Sequence, residues 1–149
     1  MGEVHLGAGT IIQDESGRIL LVQEGKEHVK GQWNIPSGGY DGDETIREAA
    51  KREALEETGL EVELEGVIGI YTRDAERTPD VKNVMIVFEA TKTGGTLKSG
   101  HQDEILDVKY FTPEEIEDLE LRFNFQNVIE DLQEKGSKEI PVHHYDLLN

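Results

Sequence analysis

The sequence predicts a mixed α/β domain, and three observations predict it. Five β-branched, apolar or alternating runs read as strands, one Ala- and Glu-rich segment reads as a helix with a defined end, and 149 residues match the usual size of one domain. Neither an internal repeat nor a low-complexity linker interrupts the chain, so residues 1–149 are expected to form a single domain.

Val4 to Gln13 and Arg18 to Gln23 are apolar runs separated by Asp14-Glu15-Ser16-Gly17, a pattern that predicts a hairpin. Trp33 leads into Asn34-Ile35-Pro36-Ser37-Gly38-Gly39, which reads as a Pro/Gly loop. Thr45 to Thr58 is rich in helix formers and stops at Gly59, the usual position of a left-handed cap. Leu60 to Arg73 alternates imperfectly, as a bent strand does. Asn83 to Thr91 is nearly continuous in apolar residues and reads as a central strand, closed by a Gly94-Gly95 turn. Ile105 to Phe111 alternates again. Pro113 then opens a short acidic helix through Leu119, and Phe125, Val128, Ile129 and Leu132 keep helical spacing up to Lys135.

Composition excludes several functions. With 32 acidic against 15 basic residues the formal net charge is −17, and such a field repels long nucleic acids and anionic lipid. The chain lacks any run near the roughly 18 to 20 apolar residues of a membrane helix and has no signal-peptide start. A cytoplasmic location is the expectation. With no cysteine, a bound metal must be held by oxygen ligands or by histidine. The charge is uneven: residues 41–65 carry ten acids and three bases, net −7, and residues 101–134 carry eleven acids and two bases, net −9.

The helix explains part of this. At about 100° per residue from Ile46, Glu53 falls near 340°, Glu56 near 280° and Glu57 near 20°, on the same arc as Ala49 and away from Arg47, Lys51 and Arg52. Charge-rich helices are common, and on an exposed face such neighbours cost little. Turned inward, each like-charged pair at about 5 to 6 Å costs roughly 3 kcal/mol at an effective dielectric near 20, so the cluster must take up protons or a cation. A hard divalent ion, Mg²⁺ or Mn²⁺, suits carboxylate ligands. In the preceding loop Gly38 and Gly39 let the backbone approach a ligand closely. Asp43 and Glu44 stand where carboxylates also serve as helix caps.

Gly38, five residues, Glu44, seven residues, then Arg52-Glu53-Ala54-Leu55-Glu56-Glu57-Thr58-Gly59-Leu60 resembles a complete Nudix box, the 23-residue signature of the Nudix (MutT-like) hydrolases. The flanks agree, with Trp33 to Pro36 before the motif and a Glu104-to-Phe111 strand followed by Thr-Pro-Glu-Glu-Ile after it. The resemblance implies an α/β/α sandwich with a mixed sheet and a Mg²⁺-dependent hydrolase that cleaves a pyrophosphate bond in a nucleoside diphosphate derivative or similar small phosphorylated substrate. Carried over by position, Glu53, Glu56 and Glu57 are implied metal ligands, with the Gly38 carbonyl a further one. Glu44 is implied to support a metal-bound water and Arg52 to hold the glutamates by an ion pair. In some relatives a glutamate before the late strand is the general base; here that stretch is His101-Gln102-Asp103-Glu104. Glu104 is the candidate base, Glu57 its rival, and a solvated loop acid the plain alternative. Members are often homodimers, and a noncatalytic nucleotide-sensing or partner-binding module on the same fold is the competing function.

Substrate identity is weakly marked. Ser37 stands where many relatives carry glycine. The proline and tyrosine that mark ADP-ribose and dinucleoside polyphosphate enzymes past the motif have no match at Ala75 to Thr78, with Pro79 too late and Tyr71 too early. The tail from Leu121-Arg122 to Ile140-Pro141-Val142 is loosely similar to a phosphatase-type subgroup acting on nucleoside di- and triphosphates and thiamin-type pyrophosphates. Arg73, Lys82 and Gln23, at strand ends, are candidate phosphate contacts, and Trp33 a candidate base-stacking residue, each with an ordinary surface or core role as the alternative. Asp41-Gly42-Asp43 lacks the calcium-loop glycine, Gly94 to Ser99 lacks the P-loop glycine before lysine, and His143-His144 reads as surface tail.

Overall fold

Seven strands and three α-helices are found among the residues that the computed structural model describes, 2–75, 78, 80–98 and 104–145. Pro79, and the His101, Gln102 and Asp103 that precede Glu104, lie outside the described residues. Strands β1 (Glu3–Ile12), β2 (Ile19–Glu24), β3 (Trp33–Asn34) and β4 (Ser37–Gly39) precede helix α1 (Ile46–Thr58). Strands β5 (Leu60–Asp74), β6 (Val81–Gly95) and β7 (Ile105–Phe111) follow, then helices α2 (Pro113–Ile116) and α3 (Gln126–Lys135).

The predicted hairpin is half right. Its turn forms: Gly17 takes a φ of +82°, its N–H donates to the Asp14 carbonyl at 3.0 Å, and the Asp14 N–H donates to the Arg18 carbonyl at 2.9 Å. Only Gln13 and Ile19 bridge across it, because β1 and β2 belong to different sheets. One sheet has the order β4-β1-β6-β5, with β1 parallel to β6 and antiparallel to β4; the other has the order β3-β2-β7 and is antiparallel. Both strands are buried on two faces, so neither carries the alternation that would reveal its register. On β2, Leu20 and Val22 enter one apolar cluster while Ile19 and Leu21 enter the other.

Those clusters are the layers of an α/β/α sandwich. Ala49, Ala50 and Ala54 of α1 pack on the first, and small side chains let that helix lie close to the sheet. Ile116 of α2 and Val128, Ile129 and Leu132 of α3 close the second, with Phe125 ahead of α3. The predicted helical spacing of residues 125–132 is therefore the buried face of α3. Strand β6 is interior to its sheet, as its apolar run predicts.

Three local expectations change. Residues 33–39 are not a free loop: β3 pairs with β2 and β4 with β1, fixing Gly38 opposite Ala8. Gly94 and Gly95 extend β6, paired with Glu61 and Leu60, and only Gly95 turns to positive φ. The cap of α1 is neither Asp43 nor Glu44 but Thr45, whose Oγ1 accepts from the Glu48 N–H at 3.1 Å while the Thr45 N–H donates to Glu48 Oε1 at 2.9 Å. Gly59 ends the helix at φ +81°, and its N–H donates to the Leu55 carbonyl at 2.9 Å.

Strand β5 lies at the outer edge of its sheet. Past α3 the chain crosses that edge: Val67 and Lys138 exchange N–H donors and carbonyls at 2.9 and 3.0 Å, and Ser137 Oγ donates to Glu89 Oε1 at 2.7 Å. Gly66 leaves room for this crossing, since a Cβ there would stand 2.8 Å from Ser137 Oγ. No helix among the described residues is long and apolar enough to cross a membrane.

Candidate active site

The buried alanines of α1 set which way its glutamates face. With Ala49, Ala50 and Ala54 against the sheet, Glu53 and Glu57 emerge beside β4 and the floor of a cleft. The Glu53 side chain is 14% exposed. The Glu57 Oε1 accepts from the Ser37 N–H of β4 at 2.9 Å. Glu56 departs from the inward arc, with 57% of its side chain exposed.

Burial pushes the Glu57 carboxyl up to about 8, against the lowering effect of the Ser37 amide and with help from the neighbouring Glu53, Glu24 and Glu56 charges. Burial also raises Glu53, opposed by the Arg52 hydrogen bond and charge. Both directions are those of carboxylates removed from water beside their own kind.

Arg52 lies off this arc on a helical wheel but is long enough to reach round it. Its Nη1 donates to Glu53 Oε1 at 2.9 Å and to Glu56 Oε2 at 3.3 Å. Its Nε and Nη2 grip Glu44 at 2.6 to 3.0 Å, and Nη2 also reaches the Gly39 carbonyl at 3.3 Å. Hydrogen bonding to Glu44, and then to Glu53, holds the guanidinium above its usual pKa. One arginine thus ties the loop before α1 to two of its glutamates, and Glu44 is engaged with Arg52 outside the cleft lining.

As placed, no three acidic or histidine side chains among the described residues converge on one point. The donor set nonetheless suits a hard divalent cation: carboxylates of Glu53, Glu56 and Glu57 on one helix face, and a glycine backbone beside them. A Cβ on Gly38 would fall on the Glu53 carboxylate, so glycine is what lets that carboxylate lie against the β4 backbone.

Gly38, Glu53, Glu56 and Glu57 line a cavity of about 470 Å³, together with Glu104 and Arg73. A second cavity of about 430 Å³ adjoins it, sharing Asn34, Ser37, Arg73, Asn83, Met85 and Phe123 and continuing to Tyr71, Asn124 and Asn127. Glu104 has 61% of its side chain exposed and sits 4.0 Å from Lys26 Nζ. Arg73 lies over the Phe123 ring, Cζ 3.7 Å from the centroid, and with the Asn83 amide oxygen turned toward it donates Nη1 and Nη2 at 3.1 and 3.2 Å.

The other three sequence candidates lie elsewhere. Lys82 is ion-paired with Asp74 and lines neither cavity. Gln23 donates Nε2 to the Gly31 carbonyl at 3.1 Å, bracing the loop between β2 and β3. Trp33 stands edge-on to Phe111, ring centroids 4.8 Å apart at 78°, within the second apolar cluster. All three are strand residues next in sequence to ones that line the cleft, Asn83, Glu24 and Asn34, and side-chain alternation turns them to the other face.

Sequence reasoning missed Glu24, Asn34, Arg122 and Phe123, which line the cleft. Glu24 is 6% exposed, and the alternation of β2 puts it on the face of Leu20 and Val22, toward α1, with Gln23 on the opposite face. A lone acid closing the apolar run Ile-Leu-Leu-Val-Gln-Glu was its only signal. Arg122 and Phe123 arrive through a bridge of Leu121 to Trp33, a pairing that sequence spacing does not carry.

Known proteins resemble this chain in sequence and in fold. A family model described as NUDIX domain matches residues 3–132. The ADP-ribose pyrophosphatase of Methanocaldococcus jannaschii is 31% identical over 120 residues, covering 80% of this chain and 68% of that protein. The 8-oxo-dGDP phosphatase NUDT18 of Homo sapiens is 38% identical over 92 residues, 62% of this chain, and the match spans 27% of that longer protein. Among solved structures, a NUDIX hydrolase from Nitrosomonas europaea superposes with a TM-score of 0.84 at 21% identity, covering 97% of this chain and 98% of that one, a likeness of fold.

Proposed function

The chain belongs to the NUDIX family, and from that membership we propose that it is a Mg²⁺- or Mn²⁺-dependent hydrolase cleaving a pyrophosphate bond in a nucleoside diphosphate or its derivative. The observation that carries this reading is the placement of Glu53, Glu56 and Glu57 with Gly38 along one wall of the larger cavity, beside a second cavity of size and lining suited to a nucleoside. Residues 1–149 act as one catalytic domain on this reading.

Glu53, Glu56 and Glu57, with the Gly38 carbonyl, are the residues to hold the divalent cation. Bound there, such a cation neutralises phosphoryl oxygens and lowers the pKa of an attacking water. Arg52 fixes Glu53 and Glu56 through its shared guanidinium, and Glu44 fixes Arg52. Arg73 is the phosphate contact that survives from the sequence candidates. Glu104 has an exposed carboxylate on the cavity lining and accepts the proton from water, with Glu57 the rival base.

The test is hydrolysis of a panel that includes 8-oxo-dGDP and ADP-ribose, with Mg²⁺, with Mn²⁺ and with chelator, analysing which phosphate product is released. Turnover is expected with either metal and none with chelator. Glu57→Gln is expected to lower kcat by orders of magnitude with its circular dichroism spectrum unchanged. Full activity in that variant would sink the assignment.

A further inference from the structure

The second cavity meets the acid-walled one at a junction and runs away from it between β5 and α3. Asn34, Asn83 and Phe123 belong to both cavities and mark the junction, whereas Tyr71, Val87, Asn127 and Val128 line the second cavity alone. Those four come from three elements: Tyr71 from the edge strand β5, Val87 from β6, and Asn127 and Val128 from α3. Tyr71 spans the gap between strand and helix. Its backbone pairs with Met85 of β6, and its hydroxyl donates to Asp131 Oδ2 of α3 at 2.7 Å. Asp131 lies one helical turn beyond Asn127, on the same side of α3.

A missing side chain seats the ring. A Cβ on Gly69 would stand 2.7 Å from the Tyr71 Oη and 2.9 Å from its Cζ, so the tip of the ring lies over the Gly69 backbone. Gly69 does not adopt the left-handed conformation, so its backbone admits any residue, and the space taken by the ring is what calls for glycine. The phenol is thus fixed at both ends, by the β5–β6 ladder and by Asp131. A ring tied at its hydroxyl yields to a ligand only by breaking that bond.

We propose that Tyr71 is a specificity-determining residue: its ring, tied to Asp131, bars the passage between β5 and α3 and limits the cavity to a single, unextended nucleobase. This rests on the reading that the cleft receives a nucleoside diphosphate, and it names which members of that class are refused. Gly69 and Asp131 are positioning residues, one giving the ring its seat and the other holding it there.

The experiment is calorimetric binding, in the presence of Mg²⁺, of α,β-methylene-ADP, which resists cleavage, and of its N6-benzyl and 2-hexylthio derivatives. The unaltered protein is expected to bind the parent about tenfold or more tightly than either derivative, the discrimination of a pocket with no room for an added group. Tyr71→Ala is expected to narrow or invert that ratio for at least one derivative. Tyr71→Phe, which keeps the ring and loses its tether, is expected to move it part of the way. A role confined to stability would weaken all three ligands alike and leave the ratio unmoved, so an unmoved ratio for both derivatives overturns the proposal. Equal binding of parent and derivatives by the unaltered protein overturns it too. Melting curves report which variants fold, and if Tyr71→Ala does not, Tyr71→Leu takes its place. An unmoved ratio beside turnover of a nucleoside diphosphate would leave the hydrolase reading standing without this role for Tyr71. The expected ratios without turnover of any nucleotide would sink the hydrolase reading and keep the role, and no binding of any of the three would remove the nucleoside cavity and the role together.

Discussion

A single missing side chain at position 38 decides how close the strand before α1 can come to that helix. The Glu53 carboxylate occupies the space a Cβ would need, and Arg52 already holds that half-buried acid. Gly38→Ala is therefore expected to push Glu53 out of line with Glu57 and cut kcat/KM by at least about tenfold, with a modest loss of stability of about 1 to 3 kcal/mol from overpacking. Steady-state kinetics beside a urea titration check this, and wild-type kcat/KM would remove the close approach from the argument. The residues at this scale that were legible in the sequence are those on one helix at fixed spacing: Glu53, Glu56, Glu57 and Arg52. Glu24 and Arg122 were not, because they meet across 98 residues through strand pairing and an isolated bridge of Leu121 to Trp33.

Between elements, one hydrogen bond joins the long edge strand to the last helix: Tyr71 of β5 donates its hydroxyl to Asp131 Oδ2 of α3 at 2.7 Å. Burial, and then the bond and charge of Asp131, raise the phenol above its ordinary value near 10. A folded-state pKa raised above the unfolded one means this contribution is fully present below about pH 10 and is lost as pH climbs through the folded value. Tyr71→Phe is expected to cost about 1 to 2 kcal/mol at pH 7, and the gap to the unaltered protein is expected to shrink above pH 10. Urea titrations at pH 7 and in the alkaline range measure both. An equal cost at both would rule out linkage through the phenol. Element identity was readable where local chemistry is decisive, as in the Thr45 and Gly59 caps that end α1. Pairing was not, because β1 and β2 bury both faces and their sequences do not tell one sheet from the other.

Over the whole molecule, the charge of −17 divides into two kinds of acid. Glu114, Glu115, Glu117, Asp118 and Glu120 around α2 are exposed to water, whereas Glu24, Glu53 and Glu57 gather in or beside one cleft. The first group is solvated where it stands. The second needs a counter-charge, and because a cation would bind only the folded cleft, millimolar Mg²⁺ is expected to raise the melting temperature, more at pH 8 than at pH 6, since the ligands must be deprotonated. Scanning calorimetry with and without chelator checks this. Identical melting points would count against the cleft as a metal site.

The segment that follows α3 gains meaning from where it lies. By pairing Lys138 with Val67 it occupies hydrogen-bonding groups on the open side of β5, a 15-residue strand with Ile70 exposed nearby. Exposed strand edges invite pairing with other chains. Cutting the chain after Gly136 is expected to leave the cleft able to bind nucleotide while making light scattering rise with concentration and time beyond that of the uncut chain. The residues after Gly136 would then serve the molecule as its guard against self-association.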